Sequence, residues 1–200
     1  MSPTQWGPPI WTLFHTLAEK IHEDKFSTLG HQLFILIKKI CKVLPCPDCS
    51  MHASTFLAKI NFAHIKTKSN FRYMLWHFHN SVNKRKNKPL FDFNRTTARY
   101  VNLSLIAVYN QFVNVYKTKG NMRLLADNFQ RTVVLKDTQK WISSNLRHFS
   151  HHTLPPPPPP HHTLPPPPHC HPSPVPLQEN TCVHLLVSEI SPPSPPQQVM

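Results

Sequence analysis

The sequence predicts an all-α protein. The chain holds three glycines in 200 residues and shows no every-other-residue alternation of the kind a half-buried strand needs. Its apolar residues recur instead at three- and four-residue intervals, the spacing of one face of a helix.

The first stripe is Ile10, Leu13, Phe14, Leu17, Ala18 and Ile21, set after Pro8 and Pro9, two prolines suited to a helix start. Trp11 and His15, four residues apart, share a neighbouring face one turn from each other. The second stripe is Leu29, Leu33, Leu36, Ile37, Ile40 and Leu44, with Phe34 and Ile35 widening it. An apolar surface wider than one core contact needs a second partner, so a homodimer interface is expected on this helix. Cys41, inside the same helix, reads as a small core residue.

Pro45 ends the second helix, because the residue before a proline is pushed out of helical geometry. Cys46 then falls where a new helix takes its N-cap, with Pro47 at the first helical position. The third helix continues through Met51, Phe56, Leu57 and Ile60, and residues 61–69 are polar and irregular. A fourth helix carries Phe71, Leu75, Phe78 and Val82 on its core side and a polar stripe, Trp76, His79, Asn80 and Asn83, beside it. Such a row of His and Asn needs water or a polar ligand as partner. After Lys88-Pro89 a further helix is marked by Leu105, Val108, Tyr109, Phe112 and Tyr116. Residues 121–149 read as one or two more, carrying Leu124, Leu125, Phe129, Val133, Trp141 and Leu146.

Composition divides the chain. Seventeen of the 23 prolines follow residue 150, in a tail that repeats His-His-Thr-Leu-Pro-Pro-Pro-Pro at 151–158 and 161–168 and holds no Lys or Arg. Residues 1–149 therefore carry all 22 basic residues against seven acidic ones, a net charge of +15. That excess suggests an anionic partner or a phosphate-bearing cofactor. The run Lys84–Lys88 reads as a solvated helix end rather than a specific nucleic-acid site. The longest apolar run in this segment, Leu33 to Ile37, is far short of the roughly 20 residues a bilayer span needs. The N-terminus lacks the pattern of a signal peptide, so a cytoplasmic protein without a membrane span is expected.

Five cysteines (41, 46, 49, 170, 182) are too few for a disulfide scaffold. In a cytosolic chain the close pair Cys46/Cys49 is catalytic or metal-binding rather than structural. Zinc would want a second ligand pair; His52 could join the first, but the folded part has no second Cys pair, so no metal is expected. A thioredoxin-type site would need flanking strands, and a hydrolase would need one nucleophile rather than two. Both sulfurs stand at a helix N-terminus, whose free N–H groups favour a thiolate, and a dithiol there suits thiol–disulfide exchange.

Three motifs in order, Trp11-x-x-x-His15, Pro45-Cys46-x-x-Cys49 and His79-Asn80-x-Val82-Asn83 with Lys88-Pro89 after it, resemble the flavin-linked sulfhydryl oxidases of the Erv/ALR fold over about residues 5–116. Lacking extra structural cysteine pairs, the chain is most similar to members encoded by large cytoplasmic DNA viruses. The resemblance implies a four-helix bundle with a short fifth helix, FAD at the bundle mouth, protein dithiols as substrates, and O2 reduced to H2O2. It implies Cys49 as the flavin-proximal thiol and Cys46 as the thiol that meets substrate. Trp11, His15, His79, Asn80 and Asn83 would contact FAD, with Arg85 and Lys88 near its phosphates. Two positions depart from the family: Pro8 replaces a basic residue, and Met74 stands where most members carry a flavin-packing Trp.

The expected organisation is an oxidase domain over 1–118, a helical extension over 119–149 and a low-complexity tail over 150–200. Cys170 and Cys182 read either as a tethered relay pair or as part of a solubilising tail. The competing function is a basic helical interaction protein, binding nucleic acid or membrane, with a structural or zinc-bound Cys pair.

Overall fold

A computed structural model describes residues 3–117 and 125–150, the side chains of 125–128 excepted. The readings of Leu124, of the Leu125 side chain and of the tail with Cys170 and Cys182 lie outside these residues. Among the described residues seven α-helices run in order: α1 Pro3–Lys20, α2 Glu23–Lys42, α3 Pro47–Ala58, α4 Lys68–Arg85, α5 Thr96–Tyr100, α6 Leu105–Tyr116 and α7 Leu125–Asn145. The described residues hold no strand beyond an isolated antiparallel bridge between Ile21 and Phe149. None of these helices is long and apolar enough to cross a membrane.

One predicted helix start moves. Helix α1 starts seven residues before the first stripe residue, Ile10, and carries Pro8 and Pro9 in its interior rather than at its start. The added turns bury Trp6 in the core, a gain of apolar burial set against the two backbone bonds those prolines cannot make. The five-residue α5 was not legible either, because Thr96 and Thr97 are weak helix formers. Tertiary contacts hold it: Arg72 of α4, ion-paired to Glu19 of α1 at 2.7 Å, hydrogen-bonds the hydroxyls of Thr96 and Thr97.

One apolar core collects the predicted stripes. Leu13, Leu17, Leu33, Ile37, Ile40, Leu57, Phe71, Leu75 and Phe112 are fully buried in it, and α1 packs against α4, α5 and α6 while α2 packs against α3, α4 and α7. Gly30 leaves room in α2 for the Phe26 ring, whose carbons would stand 2.7 Å from any added Cβ. The surplus apolar surface of α2 is met in part within the chain. Phe34 stacks on Phe62, from the 3-10 turn Phe62–His64 that interrupts the loop after α3. Helix α7 lies along the Gln32/Lys39 flank, joined by Trp141 Nε1–H donating to Gln32 Oε1 at 3.0 Å and by a Lys39–Asp137 pair at 2.9 Å.

The inward face of α7 is not the one its apolar residues mark. Phe129 and Val133 are exposed; the buried row is Arg131, Leu135, Thr138 and Ile142, a helical stripe disguised by its polar members. Beyond α7, Phe149 is fully buried, so the extension shares the core of residues 3–117.

Tyr116 closes α6 with its hydroxyl donating to the Ile40 carbonyl at 2.9 Å. Helix α6 is thus integral, and Phe112→Ala should lower the unfolding free energy in urea by about 3–5 kcal/mol. Ile106→Ala, on the exposed side of the same helix, should change it by less than about 0.5 kcal/mol.

Candidate active site

The dithiol forms where the sequence places it. Cys46 is the N-cap of α3, its sulfur accepts the Cys49 N–H at 3.3 Å, and Pro47 opens the helix. A disulfide joins Cys46 and Cys49, their Cα atoms 5.2 Å apart. Ser50 Oγ accepts the Leu44 N–H at 2.8 Å and ties the incoming chain to the first turn.

Across from it, α1 and α4 meet through three rings. Trp11 lies flat on His79, centroids 4.2 Å apart and planes 8° off parallel, and His15 Nε2 is 3.1 Å from His79 Nδ1. One imidazole of that pair must donate and the other accept, which requires at least one neutral ring. Burial, with His79 and Arg99 adding to it, lowers the His15 pKa to about 3; burial and then Arg99 and Lys88 lower that of His79 to about 4. Tyr100 of α5 stacks on His15, ring centroids 4.9 Å apart.

The loop after α4 is set by two devices. Asn87, with φ of 50°, takes the left-handed conformation that asparagine tolerates and closes a Schellman motif. Its bonds are Lys88 N–H to Asn83 C=O at 2.9 Å and Asn87 N–H to Lys84 C=O at 3.2 Å. Asn80 then bonds both backbone groups of Phe91, donating to its carbonyl at 2.9 Å and accepting its N–H at 2.8 Å. Trp76 Nε1–H donates to the same carbonyl. The polar stripe read on α4 thus has part of its partner in the protein itself.

A cleft of about 690 Å³ lies between these parts, within the usual size of cofactor sites. Trp11, His79, Asn83, Arg85, Lys88 and Cys49 all line it. His15 and Asn80 stand behind the lining, and Cys46 is outside it. Met74 is buried in the core and also outside the lining. The sequence reading missed Lys86, Arg99, Tyr100, Phe91 and Trp6, which line the cleft as well. Their signal was weak: Arg99 and Tyr100 belong to the unread α5, and Trp6 precedes the first apolar stripe.

The cleft fits a flavin dinucleotide. It offers flat aromatic walls, four cations (Arg85, Lys86, Lys88, Arg99) and no Asp or Glu, a lining suited to a ring system joined to a pyrophosphate. The buried Trp6 Nε1–H has no hydrogen-bond partner among the described residues and lines the same cleft, an open donor at a ligand wall. No group of three or more His, Cys, Asp or Glu among the described residues could hold a metal ion.

Comparison with known proteins decides the family. The Erv1 / Alr family matches residues 8–101. An FAD-linked sulfhydryl oxidase of African swine fever virus (isolate Tick/Malawi/Lil 20-1/1983) is 31% identical over 88 residues, covering 44% of this chain and 73% of the viral one. This chain belongs to the Erv1/Alr family. Its likeness extends to plants, where the FAD-linked sulfhydryl oxidase ERV1 of Oryza sativa subsp. japonica is 29% identical over 94 residues, 47% of this chain and 48% of that one. No solved structure matches. The Erv1/Alr match ends one residue after α5, so α6 and α7 lie beyond it.

Both imidazoles carry pKa values below the unfolded value near 6.5, so above that pH folded and unfolded chains hold the same protons there. Below it the unfolded chain binds protons the folded one refuses, and stability falls with pH. Unfolding free energy measured in urea should be level above pH 7 and decline from about pH 6.5 towards 4. His15→Gln with His79→Gln should flatten that decline; an unchanged slope would place its origin elsewhere.

Proposed function

We propose that this Erv1/Alr protein is an FAD-dependent thiol oxidase that forms disulfides in protein dithiols through the Cys46–Cys49 pair. The observation carrying this reading is that Cys49 lines the aromatic, cationic cleft while Cys46, on the same turn, does not. A disulfide with one sulfur towards a cofactor site and the other away from it is arranged for relay.

A substrate thiolate attacks Cys46 Sγ; the Cys46–Cys49 bond breaks and the electron pair leaves on Cys49. The second substrate thiolate then attacks the substrate sulfur of the mixed disulfide. It releases oxidised substrate and leaves Cys46 as thiolate, so two electrons now reside on the cysteine pair. The Cys49 N–H, which reaches Cys46 Sγ at 3.3 Å, and the α3 N-terminus stabilise that leaving thiolate. The chemistry supplied by bound FAD is acceptance of those two electrons and their delivery to O2, giving H2O2. Trp11, His79 and Asn83 would hold its ring system, with His15 fixing the His79 ring from behind. Arg85, Lys86, Lys88 and Arg99 are the cations available to its phosphates. Protein dithiols made in the cytoplasm and molecular oxygen are the partners this reading supplies.

Purified protein should be yellow and consume oxygen when given a dithiol; colourless protein retaining zinc would favour the interaction-protein alternative. Cys49→Ser should retain FAD while dithiol-driven oxygen uptake falls to background. If that variant still turns over, Cys49 is not the cofactor-side thiol.

A further inference from the structure

We infer that Lys20 is a positioning residue for the cofactor cleft: by tying Val101, at the end of α5, to Ser150, it makes the segment after α7 a support of that cleft. The inference rests on the proposed FAD site and joins Lys20 and Val101, inside the family match, to Phe149 and Ser150, which lie beyond its end at residue 101.

Helix α5 gives the cleft Arg99 and Tyr100, yet five residues cannot sustain a helix in water. Its position depends on what holds its two ends. At the start, Arg72 bonds Thr96 and Thr97 and is anchored by Glu19. At the far end, Lys20 Nζ donates to the Val101 carbonyl at 2.9 Å, one residue beyond Tyr100.

The same amine donates to the Ser150 carbonyl at 3.0 Å. Lys20 is 3% exposed, and an ammonium is costly to bury without partners. A methionine could fill this space by packing alone, so the charge serves the two carbonyls it joins. The second carbonyl is itself held in place. Ser150 N–H donates to the Lys20 carbonyl at 2.7 Å, His22 N–H donates to the His148 carbonyl at 2.9 Å, and Phe149 is buried to 1% exposure. The path from extension to cleft is therefore short: Phe149 and Ser150 fix Lys20, Lys20 fixes Val101, and Val101 ends the helix whose Tyr100 stacks on His15.

The experiment is FAD titration of flavin-stripped full-length protein, followed by flavin fluorescence, together with melting temperatures of the stripped and loaded forms. Lys20→Met should weaken FAD binding by about three- to thirtyfold, the range found when a connecting residue is removed. The rise in melting temperature on loading should shrink as well. Phe149→Ala disturbs the same tie from the other side; it should weaken binding in the same direction, and the double variant should lose less than the two single losses combined. Leu33→Ala, in the core away from the cleft, should lower both melting temperatures and leave the affinity unchanged, separating positioning from general destabilisation. Should Lys20→Met fail to fold, Phe149→Ala decides. Folded variants that bind FAD as tightly as the parent would overturn the role of Lys20 alone. A parent protein that takes up no flavin would overturn the cofactor assignment, and this role with it.

Discussion

The contact on which the site depends is the face-to-face packing of Trp11 on His79, with His15 bonded to the same imidazole. It locks α1 to α4 in rotation and in height, because each helix has fixed geometry once one residue is placed. Everything else on α4 follows from that register. Asn80, the next residue, turns to the chain returning at Phe91; Asn83, a turn further on, reaches the cleft; and the Schellman turn at Asn87 brings Lys88 back to its rim. The trio also sets an electrostatic condition. Burial above all, and then the neighbouring Arg99, disfavours imidazolium at both rings, so the positive charge of the cleft is left to arginines and lysines.

The dithiol follows from a different local rule. Pro45 stops one helix and Pro47 starts the next, which leaves Cys46 as the only residue that can cap α3. Its sulfur does the work usually given to a serine or aspartate oxygen. Cys49, three residues on, is on the first turn of the helix and reaches the cleft wall. The difference between the two sulfurs is thus written in helix geometry before any ligand is considered.

How much was legible depends on whether local pattern or distant contact decided each feature. The stripes of α2 and α4, the capping role of Cys46 and the buried state of Cys41 are local, and the sequence displays them. Helix α5 is held by Arg72 and Lys20 from elsewhere in the chain, so nothing in Thr96–Tyr100 announces it. The face of α7 was not legible for a related reason. Phe129 and Val133 attract attention as apolar residues, whereas Arg131 and Thr138 are buried in their place, with the Thr138 hydroxyl donating to Val134 C=O. At the site, motif order placed Trp11, His79, Asn83, Arg85, Lys88 and Cys49 on one cleft. It did not show that Asn80 spends its amide on Phe91, because that partner is eleven residues away in an irregular loop.

Cys41 shows what burial can do for chemical selectivity. It is a free thiol on the wall of the same cleft as Cys49, in a protein whose proposed chemistry is thiol–disulfide exchange. Complete desolvation raises its pKa far above the range of an exchange-competent thiol, and a protonated sulfur is a poor nucleophile. The third sulfur is thereby kept a spectator. Its apolar surroundings hold it protonated beside a pair that works by thiol exchange.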